Sequence, residues 1–325
     1  MLDVHPLVEA LAKARAGAGS MNASTMTFVL FFQDAGIASW VRERTRAVAA
    51  KHPCRVMILD GTKGDEVTHL DPPTDRGEWI EIGVHDCGPG ELIAALSQLA
   101  LPEAPIVLAW ISADIADDMR FAILAGRTDT VIVSTSLTRT DGSALTDLTT
   151  FNEHYPQIVV QDISYLRIFA WQEIVAEFFD QPAMQSELND IQEVEITAGS
   201  EPEMLYMVGW LASRLAWTPD GMGTFTMPGG ALVRTKYIHD GPPRRLSKVV
   251  LRSSTSTFTA EVHPQDDSAV CLSVDGAVQS AGRCAPLHTL DIASLVERAI
   301  LHPSRDEVFI ESLTMAKHIL ELQRA

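Results

Sequence analysis

The sequence contains none of the short motifs that usually reveal an enzyme. It has no G-x-x-x-x-G-K-[ST] phosphate loop, no G-x-G-x-x-G dinucleotide fingerprint, no G-x-S-x-G nucleophile turn and no H-E-x-x-H zinc motif. Its 10 histidines are scattered, and no two of them have the helical spacing and intervening carboxylate of a zinc site. These absences leave no recognisable active site, and we expect no cofactor and no zinc site.

Basic residues are scarce. The chain has 25 Lys and Arg against 43 Asp and Glu, which gives a formal net charge of −18. A surface this acidic repels a phosphate backbone, so we expect no nucleic-acid partner. The densest basic cluster, Arg244, Arg245, Lys248 and Arg252, is short, and we interpret it as the solvated edge of a strand.

Long apolar runs are also missing. None approaches the roughly 18 residues that a membrane-spanning helix needs. Residues 1–20 lack the apolar centre of a signal peptide and are typical of a short amphipathic helix, with Val4, Leu7, Val8 and Leu11 on one face. We therefore expect a cytoplasmic protein that has no membrane partner.

Cysteine is rare, and its four positions, Cys54, Cys87, Cys271 and Cys284, lie far apart without a C-x-x-C pair. In a chain without a secretion signal, such residues are predicted to be buried free thiols. A redox switch between Cys271 and Cys284 is the alternative. Cys87 lies just before a predicted helix, whose dipole would favour the thiolate.

The sequence does contain a regular alternation of short apolar runs and helical segments. Predicted strands lie at 26–32, 55–60, 79–85, 105–112 and 129–136, with predicted helices at 37–52, 90–101 and 116–127 and a variable loop at 61–77. These strands are rich in Val, Ile and Leu and do not alternate with polar residues, which predicts burial on both faces. The pattern predicts an α/β fold with a mostly parallel sheet flanked by helices.

The periodicity changes after residue 217. A segment rich in Gly and Pro at 218–230 is predicted to be a linker, and beyond it residues such as Phe258 and Ala260 alternate with polar neighbours, as in half-buried antiparallel strands. We therefore predict four segments: an amphipathic helix at 1–20, an α/β domain at 21–217, the linker, and a smaller C-terminal α+β domain at 231–325.

Polar residues follow several predicted strands, namely Asp60, His85, Asp86 and Asp114. In open α/β sheets, ligands bind beyond the carboxyl ends of the strands, and carboxylates there could hold a divalent cation. Asp is also a preferred cap for the helix that follows a strand, and this is the simpler interpretation. The alternative function is a protein or enzyme that binds a sugar phosphate or a divalent cation at this edge.

Aromatic residues make up 6% of the chain but concentrate in ISYLRIFAWQEIVAEFFDQP, at 163–182. Trp171, Phe178 and Phe179 follow helical spacing, and the helical part is predicted to run from about residue 170 to residue 180. Aromatic residues at this spacing usually belong to a core, which is our first interpretation.

Arg167, in the same stretch, has two interpretations. It bonds carbonyl groups at a helix C-terminus or pairs with Asp162 or Glu173, or it anchors a partner, because Trp, Tyr and Arg are the commonest hot spots of protein interfaces. The partner-binding candidates on this basis are Arg167, Trp171, Trp210, Arg214 and Trp217.

Five segments together resemble the glucose-6-phosphate dehydrogenase assembly proteins, the OpcA family. They are AAKHPCRVMIL at 49–59, LPEAPIVLAW at 101–110, DISYLRIFAWQEIVAEFFDQP at 162–182, VGWLASRLAW at 208–217 and KVVLRSSTSTFTAEV at 248–262. The resemblance implies that the chain is not an enzyme. It implies a protein that binds glucose-6-phosphate dehydrogenase, the NADP-dependent entry enzyme of the oxidative pentose phosphate pathway, as an assembly factor or allosteric activator.

Overall fold

The structure is a computed structural model, and it describes residues 4–18, 24–74, 77–112, 115–116, 118–139, 141–180, 182–276, 280–287 and 291–324. The chain forms two units, each assembled from three separate stretches. The first unit comprises Met1–Thr138, Thr150–Ile163 and Asp291–Arg305, and the second comprises Arg139–Thr149, Ser164–Leu290 and Asp306–Ala325.

A seven-stranded sheet forms the centre of the first unit. Its strands are β1 (Thr27–Phe32), β2 (Cys54–Asp60), β3 (Val67–Thr74), β4 (Gly77–Gly83), β5 (Ile106–Ile111), β6 (Thr130–Val133) and β7 (Val159–Asp162), in the order β3-β4-β2-β1-β5-β6-β7. All neighbours pair in parallel except β3 and β4. Every residue of β1, β2 and β4 is buried, as predicted from their unbroken apolar runs. The predicted mostly parallel α/β sheet is confirmed.

Strand β3 was not predicted, because the segment 61–77 was expected to be a loop. Its sequence, VTHLDPPT, has no apolar run and includes two prolines. The strand lies at the edge of the sheet and pairs with β4 in the antiparallel direction. Edge strands are often polar and tolerate proline, so they lack the pattern that identifies a buried strand.

The helices largely follow the predicted periodicity. They are α1 (His5–Ala18), α2 (Ala38–Lys51), α3 (Pro89–Leu99), α4 (Met119–Ala125), α5 (Thr135–Thr138), α6 (Ser143–His154), α7 (Ile163–Ala176), α8 (Pro182–Gln185), α9 (Glu201–Arg214), α10 (Ile292–Leu301) and α11 (Glu307–Arg324). Val4, Leu7 and Leu11 are buried, which confirms the amphipathic first helix. None of the helices in the described part of the chain combines the length and the hydrophobicity that a bilayer crossing needs.

An eight-stranded mixed sheet forms the second unit. Its strands are β8 (Ile191–Ala198), β9 (Thr218–Gly221), β10 (Thr224–Thr226), β11 (Leu232–His239), β12 (Leu246–Ser253), β13 (Ser256–His263), β14 (Asp266–Gly276) and β15 (Ser280–Pro286), in the order β15-β14-β13-β12-β8-β11-β10-β9. Phe258 pairs with Val274 and Ala260 with Leu272, and all four side chains are buried. The antiparallel strands predicted from the alternating residues are confirmed.

The division into units differs from the predicted segment boundaries. Strand β8 and helix α9 were assigned to the α/β domain at 21–217, but β8 lies inside the second sheet, parallel to β11 and antiparallel to β12. The physical reason is that Val194 and Ile196 of β8 are fully buried beneath α9, so that strand and helix form one core with their neighbours. The expected linker at 218–230 contains β9 and β10.

Two of the four cysteines form a disulfide, so the expectation of free thiols is wrong for this pair. Cys271 of β14 lies directly opposite Cys284 of β15, with their Cα atoms 4.0 Å apart. The spacing of 13 residues did not reveal the pairing, because it depends on the register of the two strands. Cys54 and Cys87 are free and buried, as predicted. A redox effect on a partner stays a prediction.

Replacing both Cys271 and Cys284 by Ser is expected to lower the free energy of unfolding by about 2–3 kcal/mol, because the cross-link restricts the unfolded chain. Urea unfolding of the oxidised protein, the reduced protein and the double variant measures the effect. Reductant should bring the oxidised protein to the midpoint of the variant and leave the variant unchanged. Equal midpoints for oxidised and reduced protein would contradict this expectation.

Candidate functional site

The strand order of the first unit defines where a ligand would be expected. Counted along the chain, its six parallel strands lie in the order third, second, first, fourth, fifth and sixth. This is the order of the Rossmann dinucleotide-binding fold, in which the ligand lies beyond the carboxyl ends of the strands where the order reverses. In this chain that point lies beyond β1 and β5.

The connection from β1 to α2 does not have the form that holds a dinucleotide. The glycine-rich turn is replaced by Gln33, Asp34 and a short 3-10 helix at Ala35–Ile37. Gln33 accepts a hydrogen bond from Ser112, just after β5, at 2.8 Å, and Asp34 accepts one from the Gly36 amide at 2.8 Å. A carboxylate at this turn repels a pyrophosphate, and it already accepts the amide that an anion would need.

The acidic residue at the end of β2 already accepts hydrogen bonds from other residues of the chain. In Rossmann proteins an Asp or Glu about 20 residues after the glycine-rich turn binds the ribose. Here Asp60 is fully buried, accepts hydrogen bonds from Arg42 at 3.0 Å and from the Thr62 amide at 3.0 Å, and has no exposed oxygen to offer. Burial lowers the pKa of Arg42, but its hydrogen bonds and ion pairs with Glu81 and Asp60 outweigh this and raise the pKa above its usual value.

The structure brings together only some of the residues predicted to bind a ligand at the carboxyl ends of the strands. Asp60 is turned toward Arg42, whereas His85 and Asp86 are exposed, with 4.0 Å between the His85 Nε2 and the nearer Asp86 carboxylate oxygen. The other His85 nitrogen, Nδ1, lies 2.9 Å from the Gly61 carbonyl oxygen. Asp114 lies outside the described residues. Ligand binding by these four residues stays a prediction.

A different group with metal-ligand chemistry lies at the same end of β4. The ligand atoms of Asp65, Cys87 and Glu91 are within 4.8 Å of one another. Asp65 accepts a hydrogen bond from the Asp86 amide at 3.0 Å, and Glu91 accepts one from the Gly88 amide at 2.9 Å. Burial, followed by the hydrogen bond to Asp65, raises the pKa of the Cys87 thiol to about 12. The expected thiolate is therefore wrong, and a protonated thiol is a poor metal ligand. Sequence analysis singled out Cys87 but not the two carboxylates.

The aromatic stretch of the second unit is a core. Helix α7 begins at Ile163, earlier than predicted, and a 3-10 helix at Glu177–Phe179 follows it. Trp171 is 3% exposed, and the rings of Phe178 and Phe179 pack on Phe258 with centroid distances of 5.5 and 4.9 Å. The core interpretation of these aromatic residues is confirmed.

Arg167 pairs with a carboxylate that lies far from it along the chain. Its Nη1 lies 3.3 Å from a carboxylate oxygen of Glu203, a fully buried residue of α9. The two partners are 36 residues apart, so local spacing could not reveal the pair. The expected carboxylates, Asp162 and Glu173, are nearer along the chain.

The second set of candidates is divided between core and surface. Trp217 is 2% exposed and packs on Phe225 with ring centroids 6.1 Å apart, and Trp210 is half-buried. Arg214 is exposed and pairs with Glu311 of α11. Partner binding by Arg167, Trp171, Trp210, Arg214 and Trp217 stays a prediction, and Arg214 is the most accessible of the five.

Comparison with solved structures defines the class of fold. The chain is similar to KijD10, a 3-ketoreductase from Actinomadura kijaniata, with a TM-score of 0.55, 11% identity, and coverage of 93% of this chain and 98% of that one. It is also similar to a levoglucosan dehydrogenase, with a TM-score of 0.51, 9% identity, and coverage of 92% and 97%. At this identity the likeness shows the fold alone, an α/β Rossmann-like fold.

Comparison with protein families and curated proteins gives matches over about half of the chain. Residues 158–313 match the family described as the C-terminal domain of a glucose-6-phosphate dehydrogenase subunit. The chain is similar to the OxPP cycle protein OpcA of Synechocystis, at 27% identity over 53% of this chain and 39% of that relative. It is similar to the OpcA protein of Nostoc punctiforme, at 26% identity over 57% and 43%. The matches cover about two fifths of the length of these curated relatives. These matches confirm the predicted resemblance to the OpcA family.

Proposed function

We propose that this chain is a non-catalytic partner of glucose-6-phosphate dehydrogenase that promotes its assembly or its active state. The description of the matching family as a domain of a dehydrogenase subunit supports this partner. The names of the curated relatives, which are OxPP cycle proteins, support a role in the same pathway. Neither name attributes a chemical reaction to the protein.

One observation supports the non-catalytic part of the proposal: polar side chains at the dinucleotide position of the Rossmann sheet bind one another. The KijD10 structure is a complex with NADP. In this chain the Gln33–Ser112 hydrogen bond lies at the corresponding sheet edge, and Arg42 holds the carboxylate that would bind the ribose. These contacts support a protein that keeps the fold of an oxidoreductase and does not use its cofactor.

The proposed mechanism is linkage. A protein that binds one conformational or oligomeric state of the dehydrogenase more tightly shifts the population toward that state, by no more than its difference in affinity for the two states. The chain contributes binding energy and no chemical step. A stable complex needs an interface of about 800 Å² on each partner, which is more than any single candidate residue supplies.

Size-exclusion chromatography with light scattering, applied to a mixture with the dehydrogenase of the same organism, tests the proposal. We expect the two chains to co-elute and the dehydrogenase in the shared peak to be more active. Titration calorimetry of the chain alone with NADP should show no binding. Separate peaks with unchanged activity would remove the partner, and NADP binding to the chain alone would remove the non-catalytic part.

A matched pair of variants locates the contact in the same experiment. Arg214 and Arg127 are both exposed arginines, on α9 and after α4 respectively. Arg214→Ala is expected to weaken the complex at least about tenfold if Arg214 is an interface hot spot, and Arg127→Ala should leave it unchanged. Equal affinities for both variants and the wild type would exclude Arg214 from the interface.

A further inference from the structure

The eight-stranded sheet of the second unit has one face in the core and one polar face. Val194, Ile196, Val249 and Phe258 lie on the core face and are buried. Side chains alternate along a strand, so the residues between these point to the other face. Across the five strands β11, β8, β12, β13 and β14 the register is continuous, and those residues form three rows. We call this surface the polar face.

Charged side chains of both signs lie side by side on the polar face. The three rows contain four basic and four acidic residues, namely Arg234, Lys236, Lys248, Arg252, Glu193, Glu195, Glu261 and Asp275. Three of the cations pair with carboxylates of neighbouring strands: Lys236 with Glu195 at 3.1 Å, Lys248 with Glu261 at 3.1 Å, and Arg252 with Glu193. The charges of the polar face therefore balance, in a chain whose net charge is −18.

Two charges of the polar face have no counter-charge. Arg234 and Asp275 are exposed, and neither side chain has an ion-pair or hydrogen-bond partner among the residues that the structure describes. Both lie in the row that contains Arg252, Arg234 two strands to one side of β12 and Asp275 two strands to the other. At about 4.8 Å per strand they are roughly 19 Å apart, which is too far for them to pair within one chain.

We propose that the polar face binds a second copy of this chain, related by a two-fold axis that runs along β12. Such an axis places Arg234 of each copy over Asp275 of the other, so that one dimer contains two new ion pairs. Stacked sheets lie about 10 Å apart, a gap that an arginine and an aspartate side chain span together. Lys248 and Arg252 lie near the axis, where each is already paired with a carboxylate of its own chain.

Area and charge favour a second copy as the occupant. The eight strands together give the polar face roughly 900 Å², comparable to the roughly 800 Å² that each partner of a stable complex buries. Two chains of net charge −18 repel each other over most of their surface. A face with balanced charges, whose two unpaired charges are complementary under the axis, avoids that repulsion. This inference does not depend on the proposed dehydrogenase partner, because the chain alone is sufficient to test it.

Sedimentation velocity of the chain alone, at physiological ionic strength and over a series of concentrations, tests the dimer. We expect the wild type to dimerise. Arg234→Glu and Asp275→Arg each turn both intermolecular pairs into repulsions, so each variant should dimerise at least about tenfold more weakly. Arg127→Glu is the matched control, because Arg127 is also exposed but lies outside the second unit, and this variant should dimerise like the wild type.

Mixing the two weakened variants tests the pairing of Arg234 with Asp275 directly. In a dimer of one Arg234→Glu chain and one Asp275→Arg chain, both intermolecular pairs again join opposite charges, so the mixture should dimerise about as tightly as the wild type. Recovery in the mixture also shows that both variants are folded. The proposal is overturned by a monomeric wild type, by charge reversals that leave the dimer unchanged, or by weakened variants that do not recover on mixing. A monomeric wild type together with a weaker dehydrogenase complex for Arg234→Glu would assign the polar face to that partner instead.

Discussion

Arg55→Met is expected to lower the free energy of unfolding by about 3–5 kcal/mol. Arg55 is 2% exposed, donates from Nε to Glu78 and donates from Nη1 to the Leu99 carbonyl oxygen. Met fills a similar volume but removes the cation from Glu78, which is itself 3% exposed. A carboxylate in such a place loses hydration without the ion pair that compensated for it. Chemical denaturation of the variant measures the loss.

The double variant Arg55→Met/Glu78→Met is the matched control. Replacing both members of a buried ion pair by apolar residues of similar volume is often close to neutral, whereas removing one member is not. We therefore expect the double variant to recover most of the stability that the single variant loses. A single variant that costs less than about 1 kcal/mol would show that the ion pair does not stabilise the sheet.

The Arg55–Glu78 pair is an example of a contact that the sequence does not predict. Arg55 belongs to the segment AAKHPCRVMIL, which supported the family resemblance, and β2 was predicted at almost its observed bounds. Its role follows only from the register of β2 and β4, which places Arg55 directly opposite Glu78. Strands with unbroken apolar runs were predictable because burial on both faces leaves a local signature. The pairing of two strands has no comparable local sequence pattern.

In the candidate sites, too, the local sequence pattern predicts where a residue lies along the chain and does not predict its tertiary contacts. Asp60 was placed correctly at the end of a parallel strand, because the apolar run of β2 ends there. The ion pair between the Asp60 carboxylate and Arg42 depends on where α2 packs. The ion pair between Arg167 and Glu203 depends on where α9 packs. Each of these contacts depends on the tertiary position of a helix, which the local sequence pattern does not specify.

The boundary predicted at residue 217 differs from the two observed units because strand pairing is not visible in the local sequence. A change of periodicity after residue 217 was a sound indication of antiparallel strands, and those strands are present. The second sheet also includes β8, which precedes residue 217. This strand has buried apolar residues and pairs with a neighbouring strand on each side, β11 and β12. A Gly- and Pro-rich segment such as 218–230 is compatible with short strands and tight turns as well as with a linker, and here it forms β9 and β10.

Gly209→Leu is expected to lower the free energy of unfolding by more than about 3 kcal/mol. An ideal Cβ at Gly209 of α9 would lie 2.5 Å from the Ser312 carbonyl oxygen and 3.2 Å from the Ala316 amide nitrogen of α11. Both atoms belong to the backbone of a packed helix, so they move only if α11 moves away from α9. The cost therefore exceeds that of a clash with a flexible side chain, which could rotate aside.

Alanine at two helical glycines separates this clash from the intrinsic effect of glycine on a helix. Gly209→Ala and Gly90→Ala both replace a helical glycine, a change that by itself favours the helix by up to about 1 kcal/mol in the helix interior, and by less at Gly90, the second residue of α3. A Cβ at Gly90 meets no atom within 4 Å, so Gly90→Ala should raise the denaturation midpoint. Gly209→Ala should lower it, because the clash outweighs the gain in helix propensity. If both variants raise the midpoint, α9 and α11 separate at little cost and their close packing does not stabilise the second unit.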